Sequence, residues 1–349
     1  MPPAQATAYK ILPQDDLEHV FNKVSLLWES LRGQKIFVTG GTGFFGKWLM
    51  ETLLYANKRL DLDCHVTVLS RNPQHFREHF PHLAPPAIVD FVEGDVRSFV
   101  FPQGQYPFVI HAGTDVVSQD SALDLFLSCV EGTKRVLEFA RQAGCSRFLL
   151  ISSGAVYGRQ PDDMPAIPET YTGAPDTLDT RSAYGEGKRC AEWLAHAYGT
   201  EYQFTVKIAR CFAFVGPHLA LDKHFAIGNF IRDALANKEI IIQGDGTPYR
   251  SYLYSADLAI WLWTILLRGS DRTVFNVGGD EAVTIADLGQ RIINIAAPNR
   301  SVKVLRPACL SQKPVRYVPD VTLSKSDLGL DCWVSLEDSI YRTLQWYRG

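Results

Sequence analysis

The feature that most constrains this fold is a glycine loop between a strand and a helix. Residues 35–40 read K-I-F-V-T-G, a short β-branched and apolar run that predicts a buried strand. Residues 44–54, F-F-G-K-W-L-M-E-T-L-L, carry a helical pattern. The connection is G-G-T-G-F-F-G, with Gly40, Gly43 and Gly46 three apart. In a strand–loop–helix unit the first glycine permits the tight turn and the second lets a pyrophosphate approach the backbone. The third lets the helix close on the strand. Gly40, Thr42, Gly43, Phe44, Phe45 and Gly46 are therefore the expected contacts of a bound dinucleotide.

The rest of the chain repeats the alternation. Strand patterns fall at His65–Ser70, Ile88–Val96, Phe108–Ala112, Arg147–Ser153 and Phe204–Arg210, and helical patterns at Ala122–Ala143 and Tyr184–Tyr198. Strands alternating with helices predict an α/β fold, a doubly wound parallel sheet. After Val215 the alternation weakens. Short strands at Glu239–Ile242 and Lys303–Leu305, helices and proline-rich turns predict a smaller α+β lobe over the carboxyl edge of the sheet, where such folds hold ligands. The expected division is a tail and helix over 1–32, a dinucleotide-binding domain over 33–215 that also receives about 254–277, and a substrate-binding lobe over 216–349. In the first segment, Leu17, Val20, Phe21, Val24, Leu27, Trp28 and Leu31 follow Asp15 and Asp16 at helical spacing, which predicts a helix docked on its own domain.

Bulk properties exclude other classes. A net charge of −3 without a basic stripe argues against nucleic acid as a partner. The seven cysteines are scattered and include no C-x-x-C pair, so neither a metal site nor a disulfide framework is expected. No signal peptide is evident and no apolar run reaches membrane-spanning length; the most apolar stretch, Leu258–Leu267, reads as a buried helix. A cytoplasmic protein with no membrane partner is expected.

Two further positions bear on the cofactor. The second strand ends Leu69-Ser70-Arg71, where an NAD site usually places an acid for the ribose hydroxyls. Ser70 and Arg71 suit the extra phosphate of NADP. Asp95, followed by Val96 after the third strand, is placed to accept from an adenine amino group. Chemistry is suggested by R-S-A-Y-G-E-G-K, because Tyr184 and Lys188, four apart, share one helix face. A free tyrosine, with a pKa near 10, is a poor base at neutral pH. A neighbouring ammonium favours its phenolate. Tyr184 could then take a proton from a sugar hydroxyl while hydride leaves the same carbon. I-S-S-G-A-V-Y-G supplies hydroxyl donors at a strand end, Ser152 and Ser153.

With these segments in place, the chain from about Gln34 onward resembles the extended short-chain dehydrogenase/reductases. It is similar in particular to the NAD-dependent epimerase/dehydratase group that acts on nucleotide-diphosphate sugars, a group with a Rossmann-type sheet. H-A-G (His111, Ala112, Gly113), E-G-T (131–133), R-C-F-A-F-V-G-P (210–217), R-S-Y-L-Y-S-A-D (250–257) and V-R-Y-V-P-D (315–320) fit the same resemblance. It implies that Tyr184 is the catalytic base, that Lys188 binds the nicotinamide ribose and lowers the tyrosine pKa, and that Ser153 is the catalytic hydroxyl. His111, Ala112 and Gly113 join the cofactor contacts, and Arg250 and Arg316 clamp the substrate diphosphate by bidentate hydrogen bonding. NAD is the cofactor the resemblance implies, against the hint of NADP from Ser70-Arg71. A nucleotide-diphosphate sugar is the implied substrate and a homodimer the implied assembly, through the helices at 122–143 and 184–198.

Departures from the family pattern narrow the chemistry. The 4,6-dehydratases carry an Asp-Glu pair just after the catalytic hydroxyl; here those positions are Gly154 and Ala155. Decarboxylases of the group usually keep a glutamate at the second. Small residues at both are the pattern of 4-epimerases, which only oxidise carbon 4, rotate the keto sugar and reduce it from the other face. Ala213, Cys129 and Gly187 also replace residues usual in the family. The expected function is an NAD(P)-dependent nucleotide-sugar 4-epimerase. A 4-keto nucleotide-sugar reductase is the alternative, then a decarboxylase or 4,6-dehydratase. A non-catalytic dinucleotide-sensing protein is disfavoured, because Tyr184 and Lys188 are both present. His218 and His224 are further candidates for substrate contact.

Overall fold

A computed structural model describes residues 10–113, 121–223, 225–309 and 313–349. In chain order the first half comprises α1 (Gln14–Val24), β1 (Lys35–Thr39), α2 (Phe44–Leu60), β2 (His65–Ser70), α3 (Pro73–His79), β3 (Val89–Glu93), β4 (Phe108–His111), α4 (Ala122–Gln142), β5 (Arg147–Ser153), α5 (Ala183–Tyr202) and β6 (Thr205–Cys211). There follow β7 (Phe214–Val215), α6 (Ala226–Leu235), β8 (Ile240–Ile242), β9 (Tyr249–Arg250), β10 (Leu253–Tyr254), α7 (Ser255–Arg268) and β11 (Thr273–Val277). The chain ends with β12 (Val283–Thr284), α8 (Ile285–Ala296), β13 (Val302–Val304), β14 (Arg316–Tyr317), α9 (Thr322–Leu328) and α10 (Leu336–Arg348).

Seven strands form one parallel sheet in the order β11-β6-β5-β4-β1-β2-β3. The expected doubly wound sheet is thus borne out. Its strands are apolar on both faces because helices cover both. Ile36 and Val38 pack with Leu49, Leu53 and the tryptophans of α7, whereas Phe37 between them turns to the other side and meets Phe99 and Phe139. Leu149 and Ile151 repeat the first direction, Phe148 and Leu150 the second. The apolar run at 258–267 lies within α7, where every residue from Ser255 to Leu267 is buried. Among the described residues no helix is long and apolar enough to cross a membrane.

The N-terminal helix docks on its own chain. Leu17, Val20 and Val24 enter the core formed with α2 and α7. Asp16, fully buried, accepts from Tyr254 Oη at 2.5 Å and from Arg342 Nη1 at 2.8 Å, so the buried charge is paired as burial requires. After β7 the chain builds a separate apolar core from Ile227, Phe230, Ile231, Ile240, Ile242, Leu288, Ile292, Ile340 and Leu344. Between the contributions of α6 and β8 to that core and those of α8 and α10, the chain returns through α7 and β11 to the far edge of the large sheet, where β11 pairs with β6. Three short strands, β12-β9-β14, form a small sheet that carries Arg250 and Arg316.

Candidate active site

The strand order reverses between β1 and β4, and the loops after these two strands enclose the crevice of such sheets. Steric detail explains the glycines there. Gly40 has φ +73°, and a Cβ on it would meet the Ala112 carbonyl carbon and oxygen at 2.7 Å. A Cβ on Gly46 would lie 2.3 Å from the Gly40 oxygen and 2.4 Å from Gly41 backbone atoms. Gly43 is exposed and is the N-cap of α2 without a side-chain cap, so the first-turn N–H groups of Phe44, Phe45 and Gly46 face the loop. This is the local arrangement that accepts a phosphate. The rings of Phe44 and Phe45 serve the scaffold: they stand 5.5 Å apart, Phe45 meets Phe214 edge-on, and Phe44 touches the cores of both lobes. Thr42 is half-buried in the loop itself.

Across the crevice, the Gly113 N–H donates to Thr39 Oγ1 at 3.0 Å, and a Gly113 Cβ would collide with that oxygen. His111 is fully buried. Its Nδ1 pairs with Thr39 Oγ1 at 2.7 Å and its Nε2 with Thr133 Oγ1 at 3.0 Å. Burial, with the Lys188 charge nearby, pushes its pKa down to about 3, so it is a neutral brace between β1 and α4. Ser70 is buried at the end of β2 and its hydroxyl accepts from the Asn72 N–H, while Arg71 is exposed. Asp95 accepts from Arg97 N–H and Nε, which helps hold its carboxyl below the usual range although burial opposes this. Val96 fills the space over Gly132.

The two serines at the end of β5 separate by strand alternation. Ser152 turns away and donates to Glu192 Oε1 at 2.5 Å. Ser153 turns to the crevice, accepts from the Ala155 N–H at 3.2 Å, and faces the phenols of both Tyr184 and Tyr317. Tyr184 and Lys188 lie on α5, with Lys188 Nζ 5.9 Å from the tyrosine ring centre. That ammonium donates to the Ile151 carbonyl at 2.9 Å. Burial lowers the pKa of Lys188 and raises that of Tyr184; the interaction with Ser153 opposes the second shift. In the protein alone, then, the neutral phenol is favoured. Among the described residues no group of three His, Cys, Asp or Glu side chains could hold a metal ion.

Arg250 and Arg316 sit on adjacent strands but are not brought together. The register pairs Arg250 with Tyr317 and Arg316 with Tyr249, and paired residues share a face. Accordingly the Arg250 guanidinium lies 5.7 Å from the Tyr317 ring, and that of Arg316 lies 4.0 Å over Tyr249. Tyr317 therefore faces Ser153 beside Arg250, and sequence reasoning had not singled it out. A Cβ on Gly154 would meet Phe212 ring atoms at 2.7 and 2.8 Å and the Tyr317 hydroxyl at 2.8 Å. The place of a side chain next to Ser153 is thus occupied by these two rings.

Behind the site, Arg210 grips Glu192 at 2.6–3.2 Å through Nε and Nη2 and lies 4.5 Å from the Tyr157 ring, whose hydroxyl donates to Asn276 Oδ1. This buried network ties β5, α5, β6 and β11 together. Glu192 lies four residues beyond Lys188 on the same helix, the spacing from which the sequence could have suggested it. His218 is buried against Trp346 and Glu51, so it faces the scaffold; His224 lies outside the described residues. A cleft of about 910 Å³ opens in the C-terminal lobe, lined by Asn229, Phe230, Gln243, Gly246 and Pro248 among others. None of Ser153, Tyr184 and Lys188 borders it.

The profile of the NAD dependent epimerase/dehydratase family matches residues 36–278, from β1 through β11 to the turn that follows. The chain belongs to that family. Its similar proteins include UDP-glucuronic acid decarboxylase 2 of Arabidopsis thaliana, 29% identical over 310 residues, spanning 88% of this chain and 67% of that protein. UDP-glucuronic acid decarboxylase 1 of Danio rerio is 27% identical over 318 residues, 90% of this chain and 72% of that one. Among solved structures, UDP-glucuronic acid 4-epimerase of Bacillus cereus in complex with NAD superposes with a TM-score of 0.75 at 23% identity, covering 90% of this chain and 99% of that chain. UDP-glucose 4-epimerase of Thermotoga maritima, with UDP-glucose, gives 0.72 at 22% identity with the same coverages. At these identities the structural likeness speaks for the fold. The family's nucleotide-sugar chemistry is the frame for the site.

Proposed function

We propose that this epimerase/dehydratase family member is an NAD(P)-dependent 4-epimerase of a nucleotide-diphosphate sugar. The observation that carries the reading is the absence of room and charge beside Ser153. Gly154 and Ala155 bring no acid, and Phe212 and Tyr317 fill the adjoining space. The groups facing Ser153 are hydroxyls, which suit a proton taken from and returned to one sugar oxygen better than loss of water or carbon dioxide.

The glycine cradle fits a dinucleotide: Gly40, Gly46 and Gly113 approach neighbouring backbone or side chains where a Cβ would intrude, and α2 offers its first-turn N–H groups. Thr42, Ser70, Arg71, Asp95 and Val96 border the same edge of the sheet. When bound, the nicotinamide supplies the hydride acceptor and, oxidised, a positive charge that favours a phenolate. Tyr184 then takes the proton of the sugar 4-hydroxyl and later gives it back. Ser153 holds that oxygen by hydrogen bonding, and Lys188 keeps a positive charge beside Tyr184. Arg250 holds the diphosphate, with Arg316 in a lesser role from the opposite face. The cleft lined in part by Gly246 and Pro248, close in sequence to Arg250, supports placing the nucleotide in the C-terminal lobe. A homodimer through α4 and α5 is the proposed assembly, consistent with exposed Leu123 and Trp193 on those helices.

The decarboxylase relatives favour a second reading, in which the 4-keto sugar of a uronate loses carbon dioxide. One panel separates the two. The protein is incubated with UDP-, dTDP-, GDP- and CDP-sugars, including UDP-glucuronate, and the products are identified by mass and NMR. Unchanged mass with inversion at carbon 4 is expected. Loss of carbon dioxide or water, or stoichiometric consumption of NADPH, would overturn the proposal. Tyr184→Phe is expected to lose turnover at least a hundredfold while NAD(P) still binds.

A further inference from the structure

We propose that Glu192 is a positioning residue: by accepting from Ser152 it locks the end of β5 to α5 and so fixes Ser153 against Tyr184 and Lys188. The roles of those three residues rest on the functional reading above; the placement of Glu192 does not.

Two side chains one helical turn apart tie two consecutive residues of β5. Lys188 Nζ donates to the Ile151 carbonyl at 2.9 Å, and Glu192 Oε1 accepts from Ser152 Oγ at 2.5 Å. Lys188 and Glu192 both belong to the buried face of α5, and Tyr184 stands four residues before Lys188 in the same row. One such bond would leave the helix free to turn about it. Two, at different heights on the helix, fix both its rotation and its slide along the strand. Ser153 is the next residue of β5, and alternation sends its side chain to the crevice. The separation of Ser153 from Tyr184 is therefore set in part by the Ser152–Glu192 bond, which lies outside the crevice.

The carboxylate is anchored in turn. Ser152 and Arg210 are register partners on β5 and β6, so their side chains rise on one face, and Glu192 bonds both. Arg210 meets both carboxylate oxygens, through Nε at 3.0 and 3.2 Å and through Nη2 at 2.6 Å. With Ser152 these donors fix the orientation of the group. Glu192 is only 8% exposed. Stability alone does not call for a buried ion pair, since well-packed apolar residues of the same volume often serve as well. What they lack is an acceptor at a fixed height over Ser152.

Length matters as much as charge. Shortening Glu192 by one methylene withdraws the carboxylate by more than about 1 Å. The long Arg210 side chain can follow it. Ser152 cannot, because its hydroxyl sits one carbon from the backbone of an interior strand.

The test is a cycle of Ser152→Ala and Glu192→Asp, alone and together. Ser152→Ala deletes the donor and leaves the Glu192–Arg210 pair whole. Urea midpoints are recorded, and two readouts are compared with the unmodified protein without denaturant. One is kcat and the sugar KM. The other is hydrogen exchange of the Ala155 amide without sugar, since that N–H is held by Ser153 Oγ. Each single variant is expected to lose kcat about tenfold with KM within about threefold. Each is expected to speed Ala155 exchange about tenfold. The double variant is expected to do no worse than either single one, because both remove the same bond. Ser152→Thr, which keeps the hydroxyl, is expected to match the unmodified protein. Unchanged exchange in Ser152→Ala would overturn the inference. So would losses that add in the double variant, or a lowered urea midpoint with kcat intact, the mark of a merely structural contact. Exchange needs no turnover, so a panel in which carbon dioxide is lost or no sugar reacts would defeat the epimerase proposal and leave this test standing. Should Glu192→Asp not fold, Ser152→Ala against Ser152→Thr decides the matter, and equal exchange in those two would overturn it.

Discussion

Replacing Gly46 and Gly43 separately by alanine tests the physical account of the glycine loop. The new Cβ at position 46 falls 2.3 Å from a carbonyl oxygen and 2.4 Å from two other backbone atoms. Ordinary carbon contacts lie near 3.5 Å, so the misfit is more than about 1 Å. No side chain can rotate away, because every near atom is backbone. Helix α2 must instead retreat from β1, and Leu49, Met50 and Leu53, all fully buried, lose packing with it. Overpacking of this kind costs about 3 kcal/mol. With about 2 cal/mol/K per residue for the unfolding entropy, a chain of this length has about 0.7 kcal/mol/K, so the melting temperature should fall by about 4 °C. Gly43→Ala differs: its nearest neighbour is the Gly40 oxygen at 3.3 Å and its φ is an ordinary −82°. Stability should change by less than about 0.5 kcal/mol. The added methyl should nonetheless stand where a pyrophosphate approaches, lowering affinity for NAD(P) at least about tenfold. Calorimetric melting and dinucleotide titration read both effects. Unchanged melting of Gly46→Ala would refute the close-packing argument, and normal dinucleotide affinity of Gly43→Ala would refute the phosphate argument.

Other outcomes follow from the buried charges. Arg210→Met leaves Glu192 buried without its guanidinium and should cost about 3–5 kcal/mol in urea unfolding. Arg210→Met combined with Glu192→Met should recover much of that loss, and equal stability of single and double variants would show the pair to be uncoupled. His111 is held neutral in the fold, with its pKa pushed down to about 3 from 6.5. The unfolded chain therefore takes up a proton that the folded one refuses, and stability should fall as pH drops below about 6.5, by up to about 1.4 kcal/mol per unit until pH nears 3. His111→Gln should flatten that slope between pH 6.5 and 5; parallel urea midpoints for both proteins would exclude His111 as its source.

Much of this architecture was legible in the residues. The runs at 65–70 and 147–153 coincide with β2 and β5, since a parallel strand buried on both faces writes itself as a continuous apolar segment. The helix starts and stops near α4 and α5 were equally plain. Two-residue strands were not. A segment as short as Arg316–Tyr317 has no periodicity from which its phase can be read, so the family resemblance alone suggested Arg316 as the partner of Arg250. The register instead puts Tyr317 there. Position 154 was read correctly as lacking an acid, but which side chains occupy its space depends on Phe212 and Tyr317, distant in sequence. Burial was the other hidden term: Tyr184 next to Lys188 suggests a lowered pKa, whereas enclosure of both groups moves the free protein the other way.

The last strand of the large sheet has a consequence for how the molecule is made. As the chain leaves a ribosome, β1 to β6 are complete by Cys211, but the outer edge of β6 stays unpaired until Thr273–Val277 has emerged. By then α6, β8 and β9 of the other lobe are already out. For that interval the nascent sheet has an open apolar edge, a template for pairing with other chains. The two lobes thus cannot mature in sequence. Each waits on residues that lie beyond part of the other, and fusions or truncations that end between Cys211 and Val277 should yield aggregated product.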